Sequence, residues 1–196
     1  MNQELFTTIR AKIEQEERIT DAEALQLFES DDLISIGELA DLANRRKNAD
    51  RVFFNVNRHI NYTNVCVNHC RFCAFCRDGS EPDAYTYNLN EILHKAAEAS
   101  AAGATEIHMV GGLHPELPFE FYLRMMATIK ANNPNLKIKA FTAVEIDYFA
   151  RISNLSVEEV ISELKRLGLD STPGGGAEIF DSEIRNQICP EKISAE

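Results

Sequence analysis

The first fifty residues carry an amphipathic helical pattern of apolar and polar positions. Two capping boxes, Thr20-Asp-Ala-Glu23 and Ser35-Ile-Gly-Glu38, mark helix starts, because a hydroxyl and a carboxylate three residues apart satisfy backbone donors left unpaired by the first turn. From about Arg51 the pattern changes to short apolar runs alternating with helical stretches. HINYTNV (59–65) reads as a strand running into a cysteine-rich loop, YNLNE (87–91) opens a helix that Gly103 can end, and EIHMVGG (106–112) is a second strand. PFEFYLRMMATIKANN (118–133) is the next helix and KIKAFTAVE (137–145) a third strand. Ser156-Val-Glu-Glu159 caps a helix closed by Gly168, LDSTPGGGAE begins a fourth strand and loop, and CPEKISAE reads as the start of a further helix with Ser194 as its cap.

This alternation predicts an α/β fold of parallel strands joined by right-handed crossovers. About four β/α units occupy 51–196, preceded by a helical extension over 1–50, with no internal repeat. A closed barrel needs more strands than that, and an open four-stranded sheet leaves apolar edges. The expectation is therefore the N-terminal part of a partial (β/α) barrel of the TIM type, in a chain cut mid-fold.

With 44% hydrophobic and 26% charged residues, the chain can build a sizeable core and has the balance of a soluble globular protein. No apolar run approaches the ~20 residues of a membrane helix, and the N-terminus lacks the order of a signal peptide, so a cytoplasmic protein without a membrane is expected. A net charge of −11 disfavours nucleic acid and anionic lipid as partners. A small anionic substrate remains compatible, since a local cluster of donors can recruit one into a pocket.

Four of the five cysteines fall within CVNHCRFCAFC, spaced Cys66-x3-Cys70-x2-Cys73-x2-Cys76. They are too crowded for a disulfide framework and point to a metal. Cys189 stands alone and reads as a buried small hydrophobe. Zinc sites draw two ligand pairs from separated turns; here a second pair is missing, with His59 or His69 as the conceivable extra ligands. A closed ferredoxin-like cluster competes, because Cys70, Cys73 and Cys76 match the bacterial C-x2-C-x2-C run. The third reading places Cys66, Cys70 and Cys73 on a four-iron cluster with one iron left open, free to chelate the amine and carboxylate of an amino acid.

The C-x3-C-x2-C spacing with an aromatic, Phe72, before the last cysteine resembles the signature of the radical S-adenosylmethionine (SAM) enzymes. The resemblance implies a 4Fe–4S cluster with one open iron on Cys66, Cys70 and Cys73. It also implies SAM as a co-substrate, a 5'-deoxyadenosyl radical, and an electron donor such as flavodoxin or ferredoxin. Cys76 must then face away from the fourth iron. Gly111 and Gly112, at the end of the second strand, are placed to let a ligand approach the backbone, and the resemblance assigns such a strand end to SAM. Glu145 would face SAM or substrate, or else cap the next helix. Gly174 and Gly175 in PGGGAE would carry substrate or the adenosyl group.

INYTNVCVNHCRFCAF, GGLHP, FTAVEIDYFAR and DSTPGGGAEIF together are similar to a group holding aminofutalosine synthase, cyclic dehypoxanthinylfutalosine synthase and one half of the deazaflavin FO synthase. FTAVEIDYFAR looks most like the first of these, enzymes of menaquinone biosynthesis by the futalosine pathway. That likeness implies addition of the adenosyl radical to 3-[(1-carboxyvinyl)oxy]benzoate, a small anionic aromatic substrate, to give aminodeoxyfutalosine. Tyr62, where proline is expected, and Thr172, where a larger apolar residue is expected, depart from the pattern. His114 and Glu145 are the catalytic candidates; Arg58, Arg77 and His114 are candidates for holding substrate carboxylates, on their proximity to the motifs.

Overall fold

The computed structural model describes residues 2–176 and 178–194, and the chain divides into two compact units, Met1–Phe54 and Asn55–Glu196. The first unit consists of α1 (Gln3–Glu14), α2 (Asp21–Phe28) and α3 (Leu33–Asn48), with Ile9 of α1 and Leu39 of α3 buried. The Thr20–Glu23 box forms as expected. The Ser35–Glu38 box does not: α3 starts at Leu33, and Asp32 caps it by accepting the Ser35 N–H at 3.2 Å. An aspartate caps as well as a serine, and the earlier start lengthens the helix.

The second unit runs β1 (Asn57–His59), α4 (Leu89–Ala101), β2 (Glu106–Met109), α5 (Phe119–Asn132), β3 (Lys137–Ala140), α6 (Ala143–Ser153), α7 (Val157–Arg166) and α8 (Ser182–Ile188). The strands form one parallel sheet in the order β1-β2-β3. Asn88 and Ser156 cap α4 and α7 with complete capping boxes, and Gly103 and Gly168 leave those helices with positive φ.

Four sequence expectations change. β1 ends at His59 instead of continuing to Val65. Beyond it the chain leaves the ladder so that the Tyr62 side chain can enter the core, and Thr63 and Val65 pair instead across the following loop, with Thr86 and Arg77. β3 stops at Ala140 because Thr142-Ala-Val-Glu145 is itself a capping box, and the residues expected to extend the strand begin α6. The fourth strand shrinks to a single parallel bridge between Ser171 and Lys139, since Pro173 has no N–H to donate to a ladder. Lastly, Asp181 caps α8 in a stretch to which the sequence reading gave no element, and Cys189–Ser194 follow it as turn and coil. The helix for which Ser194 would be the cap lies outside the described residues.

Strand alternation decides which face of the sheet is buried. Ile107 and Met109 of β2 and Ile138 and Ala140 of β3 enter a core with Ile92 and Ala96 of α4, Met125 and Met126 of α5, and Val160 and Leu164 of α7. An aromatic group of Tyr62, Tyr122, Phe141 and Phe149 closes the end of this core, with the Tyr122 and Phe149 rings 4.2 Å apart. The opposite face carries Asn57 and His59, Glu106 and His108, and Lys137 and Lys139. No helix among the described residues is long and apolar enough to cross a membrane.

Asp170 fastens the bridge after α7 to β3. Its carboxylate accepts the Ile138 N–H and the ammonium groups of Lys130 and Lys137, each at 2.9 Å. Burial alone would raise its pKa, but these three donors outweigh that and hold it at about 2, below the ordinary 3.8. A depressed folded pKa stabilises the fold above pH 3.8, and the contribution is lost as pH falls towards 2. Asp170→Asn is expected to lose about 1–2 kcal/mol at neutral pH. Denaturant unfolding checks this, and the gap between the two proteins should shrink as the pH is lowered through that window.

Candidate functional site

The C-terminal ends of all three strands open on one cavity of about 530 Å³, the end at which parallel β/α folds place their chemistry. Cys66, Cys70, Cys73 and Cys76 all line it, together with Phe72, Gly111, Gly112, Glu145, Gly175 and Gly176.

The cysteine loop is positioned by backbone bonds at both ends. The Val67 N–H donates to the Leu113 carbonyl beyond β2 at 3.0 Å, and the Cys66 N–H to the Arg77 carbonyl at 3.2 Å. The Arg71 N–H reaches the carbonyl of Ile188 at the end of α8 (2.8 Å), and the His69 N–H reaches the Glu191 carboxylate (3.1 Å). α8 is thus a brace for the loop, and sequence reading missed it. All four loop cysteines are free thiols; Cys66, Cys70 and Cys76 are half-buried and Cys73 is exposed. The Cys76 thiol donates to the Asn68 carbonyl at 3.1 Å, while the Asn68 N–H points to Cys66 Sγ at 3.4 Å.

A 4Fe–4S cluster fits this donor set. Among the described residues no three His, Cys, Asp or Glu side chains are gathered as they would be around a single metal ion. A cluster takes one thiolate per iron and does not need its ligands gathered on one ion. Burial raises the Cys70 thiol to about 11 even though Lys192 opposes the shift, and burial likewise raises Cys76 to about 11. Thiols sheltered this way ionise when a metal centre binds them, because the bound cation reverses the local electrostatics.

The glycine pair has a packing role that sequence reading did not anticipate. A Cβ on Gly111 would lie 2.5 Å from the Tyr62 ring, and one on Gly112 would overlap the Val65 carbonyl and press on Cys66 Cβ at 3.0 Å. Side chains here would push the cysteine loop off the end of β2.

Glu145 joins these parts. It is 2% exposed and caps α6 by accepting the Thr142 N–H (2.7 Å) and hydroxyl (2.8 Å) on Oε2. Oε1 accepts the Tyr62 hydroxyl (2.5 Å) and the Gly111 N–H (3.1 Å). One carboxylate therefore bonds the segment leaving β1, the end of β2 and the turn after β3. Burial raises its pKa while these donors lower it, and burial also pushes the Tyr62 phenol well up, which keeps it a donor. Tyr62, a departure from the expected pattern, thus has a defined partner.

The other candidates disperse. His114 lines a separate groove with Pro115 and Glu116, and its carbonyl accepts the Tyr148 hydroxyl. His69 lies in that groove too. Arg58 pairs in register with Ile107, on the sheet face opposite His59, and Arg77 is bound to Asp83 at 2.7 Å; neither lines the cavity. Gly174 and Thr172 also fall outside it, whereas Gly175 and Gly176, both with positive φ, belong to it. Cys189 is 1% exposed, as a small hydrophobe would be. Lys192 was not anticipated: it lines the cavity, pairs with Glu178 at 2.7 Å and sits over the Phe72 ring at 5.4 Å.

A glutamine at 145 has one carbonyl for four donors, so the Gly111 N–H or the Thr142 N–H would face an amide NH2. Glu145→Gln is expected to destabilise the chain by about 2–4 kcal/mol, and Tyr62→Phe by about 1–3 kcal/mol. Chemical unfolding of the two variants against the parent checks both values.

The Radical SAM superfamily model matches residues 60–196. A 5-amino-6-(D-ribitylamino)uracil–L-tyrosine 4-hydroxyphenyl transferase of Methanopyrus kandleri is 50% identical over 147 residues, covering 75% of this chain and 40% of the relative. The aminodeoxyfutalosine synthase of Streptomyces coelicolor is 45% identical over 192 residues, covering 98% of this chain and 50% of that enzyme. The chain spans about half the length of these relatives. Among solved structures, the FeFe-hydrogenase maturase HydG superposes with a TM-score of 0.76 at 16% identity, over 100% of this chain and 42% of that one. Methylornithine synthase (PylB) gives 0.68, also at 16% identity, over 92% and 50%. The fold is thus part of a radical SAM barrel, and with three thiols of the signature loop facing the cavity, the chain belongs to the radical SAM superfamily.

Proposed function

We propose that this chain belongs to an aminodeoxyfutalosine synthase, with a 4Fe–4S cluster held by Cys66, Cys70 and Cys73 and SAM bound at the cluster's open iron. Bound there, the cluster supplies the electron that splits SAM and yields the 5'-deoxyadenosyl radical. The observation that carries the reading is the convergence of the three signature cysteines and the ends of β2 and β3 on one cavity. The 45% identity to the Streptomyces enzyme over nearly the whole chain supports the choice of reaction.

The chain's own residues have distinct parts in it. Cys76, whose thiol donates to the Asn68 carbonyl, would stay off the fourth iron. Gly112 keeps the start of the loop against the end of β2, and Glu145 acts as a positioning residue for the cavity wall. Gly175 and Gly176 present a wall without side chains on the side of β3, suited to the adenosyl group or substrate. The substrate would be 3-[(1-carboxyvinyl)oxy]benzoate, and radical addition, rearrangement and loss of its carboxylate would give aminodeoxyfutalosine. A cytoplasmic setting and a flavodoxin or ferredoxin as electron donor accompany this reading.

A second reading has its own support in the 50% identity to the Methanopyrus 4-hydroxyphenyl transferase. The fate of the adenosyl group separates the two. Anaerobically reconstituted and reduced protein is incubated with SAM and either 3-[(1-carboxyvinyl)oxy]benzoate or L-tyrosine with 5-amino-6-(D-ribitylamino)uracil, and the products are weighed by mass spectrometry. The first reading expects the adenosyl carbon in the product; the second expects free 5'-deoxyadenosine. Intact SAM in every mixture would sink both.

A further inference from the structure

The polar face of the sheet carries a row of three basic side chains. His59, His108 and Lys139 are register partners on β1, β2 and β3, so they stand side by side across the sheet on one face. Neighbouring strands are about 4.8 Å apart, and the two imidazoles stack with centroids 4.6 Å apart and planes 27° from parallel. His59 also lines the cavity, and His108 and Lys139 stand beside it on the same face of the sheet without lining that cavity.

Imidazoles aligned beside a lysine on adjacent strands disfavour one another's charged form, since sheets avoid placing like charges opposite each other. On a chain with 31 Asp and Glu against 20 Lys and Arg there are carboxylates enough to pair with such a row. Among the described residues, however, none of the three side chains has a hydrogen bond or an ion pair. The nearest acid on this face, Glu106, is one register step further from the cavity, opposite Asn57 and Lys137, and its Oε1 is buried without a partner. The Lys137 ammonium is already taken by Asp170. Burial holds His108 below its ordinary pKa, His59 and Lys139 lower it further, and Glu106 opposes them. One ammonium and two imidazoles without carboxylate partners, one imidazole lying in the cavity wall, are donors available to an anion.

We infer that His59, His108 and Lys139 form a carboxylate-binding site, which anchors the aryl carboxylate of the substrate so that its reacting end faces the cysteine loop. The inference rests on the aminodeoxyfutalosine synthase reading and adds the group that holds its substrate. A bound carboxylate would accept from the Lys139 ammonium and from at least one imidazole N–H, and the bond to Lys139 would be charge-assisted.

Binding of 3-[(1-carboxyvinyl)oxy]benzoate to the reconstituted chain is measured by titration calorimetry, alongside Lys139→Met, His108→Gln and Lys139→Arg. Iron content and circular dichroism confirm that each variant is folded. Lys139→Met and His108→Gln are expected to weaken binding by about tenfold or more, and Lys139→Arg to keep it within about threefold. Imidazole NMR signals of His59 and His108 should shift on adding the ligand. Parent-like affinity in both Lys139→Met and His108→Gln overturns the inference, as does a parent chain whose cluster responds to SAM yet binds no carboxylate; the radical SAM reading survives either result. Carboxylate binding that depends on Lys139 in a chain that never binds SAM would instead sink that reading and leave the row standing.

Discussion

The geometry of the cavity depends on one buried carboxylate. A charge taken out of water costs several kcal/mol unless hydrogen bonds replace its hydration, and Glu145 is tolerable only because four donors meet its two oxygens. Those donors belong to three different strand ends. Their positions relative to one another follow from a single side chain: Thr142 begins α6, Gly111 ends β2, and Tyr62 leads from β1 into the cysteine loop. The missing Cβ atoms of Gly111 and Gly112 complete the arrangement by letting Tyr62 and Val65 pack directly on the end of β2.

Charge is distributed unevenly around that arrangement. The chain as a whole is acidic, yet the face of the sheet beside the cavity carries His59, His108 and Lys139, and Lys192 lines the cavity near Cys70. Local cations can attract small anions even on a chain whose net charge is negative. Cluster thiolates and the anionic substrate proposed above would both be negative, so cations near each of them would lower the cost of gathering them in one place.

Local signals that act within a few residues were legible in the sequence. The boxes at Thr20, Asn88 and Ser156, the glycines ending α4 and α7, and the cysteine spacing all carry their meaning in adjacent positions. Where two local signals competed, the sequence alone was ambiguous: Thr142-Ala-Val-Glu145 continues an apolar run and is also a capping box, and the box prevailed because Glu145 gains partners from Tyr62 and Gly111, 83 and 34 residues away. The same distance hid the function of Tyr62 and the basic row, since His59, His108 and Lys139 become neighbours only through strand register. His114, Arg58 and Arg77 lie beside the motifs in sequence, and the structure places them outside the cavity.

The account stands most directly on the claim that three cysteines, and not four, hold the cluster. Electron paramagnetic resonance of the anaerobically reconstituted, reduced chain, recorded with and without SAM and repeated on Cys76→Ala, measures this. The account predicts a four-iron signal that changes when SAM is added, in both proteins. A signal indifferent to SAM in the parent and absent from Cys76→Ala would contradict it, because Cys76 would then close the cluster.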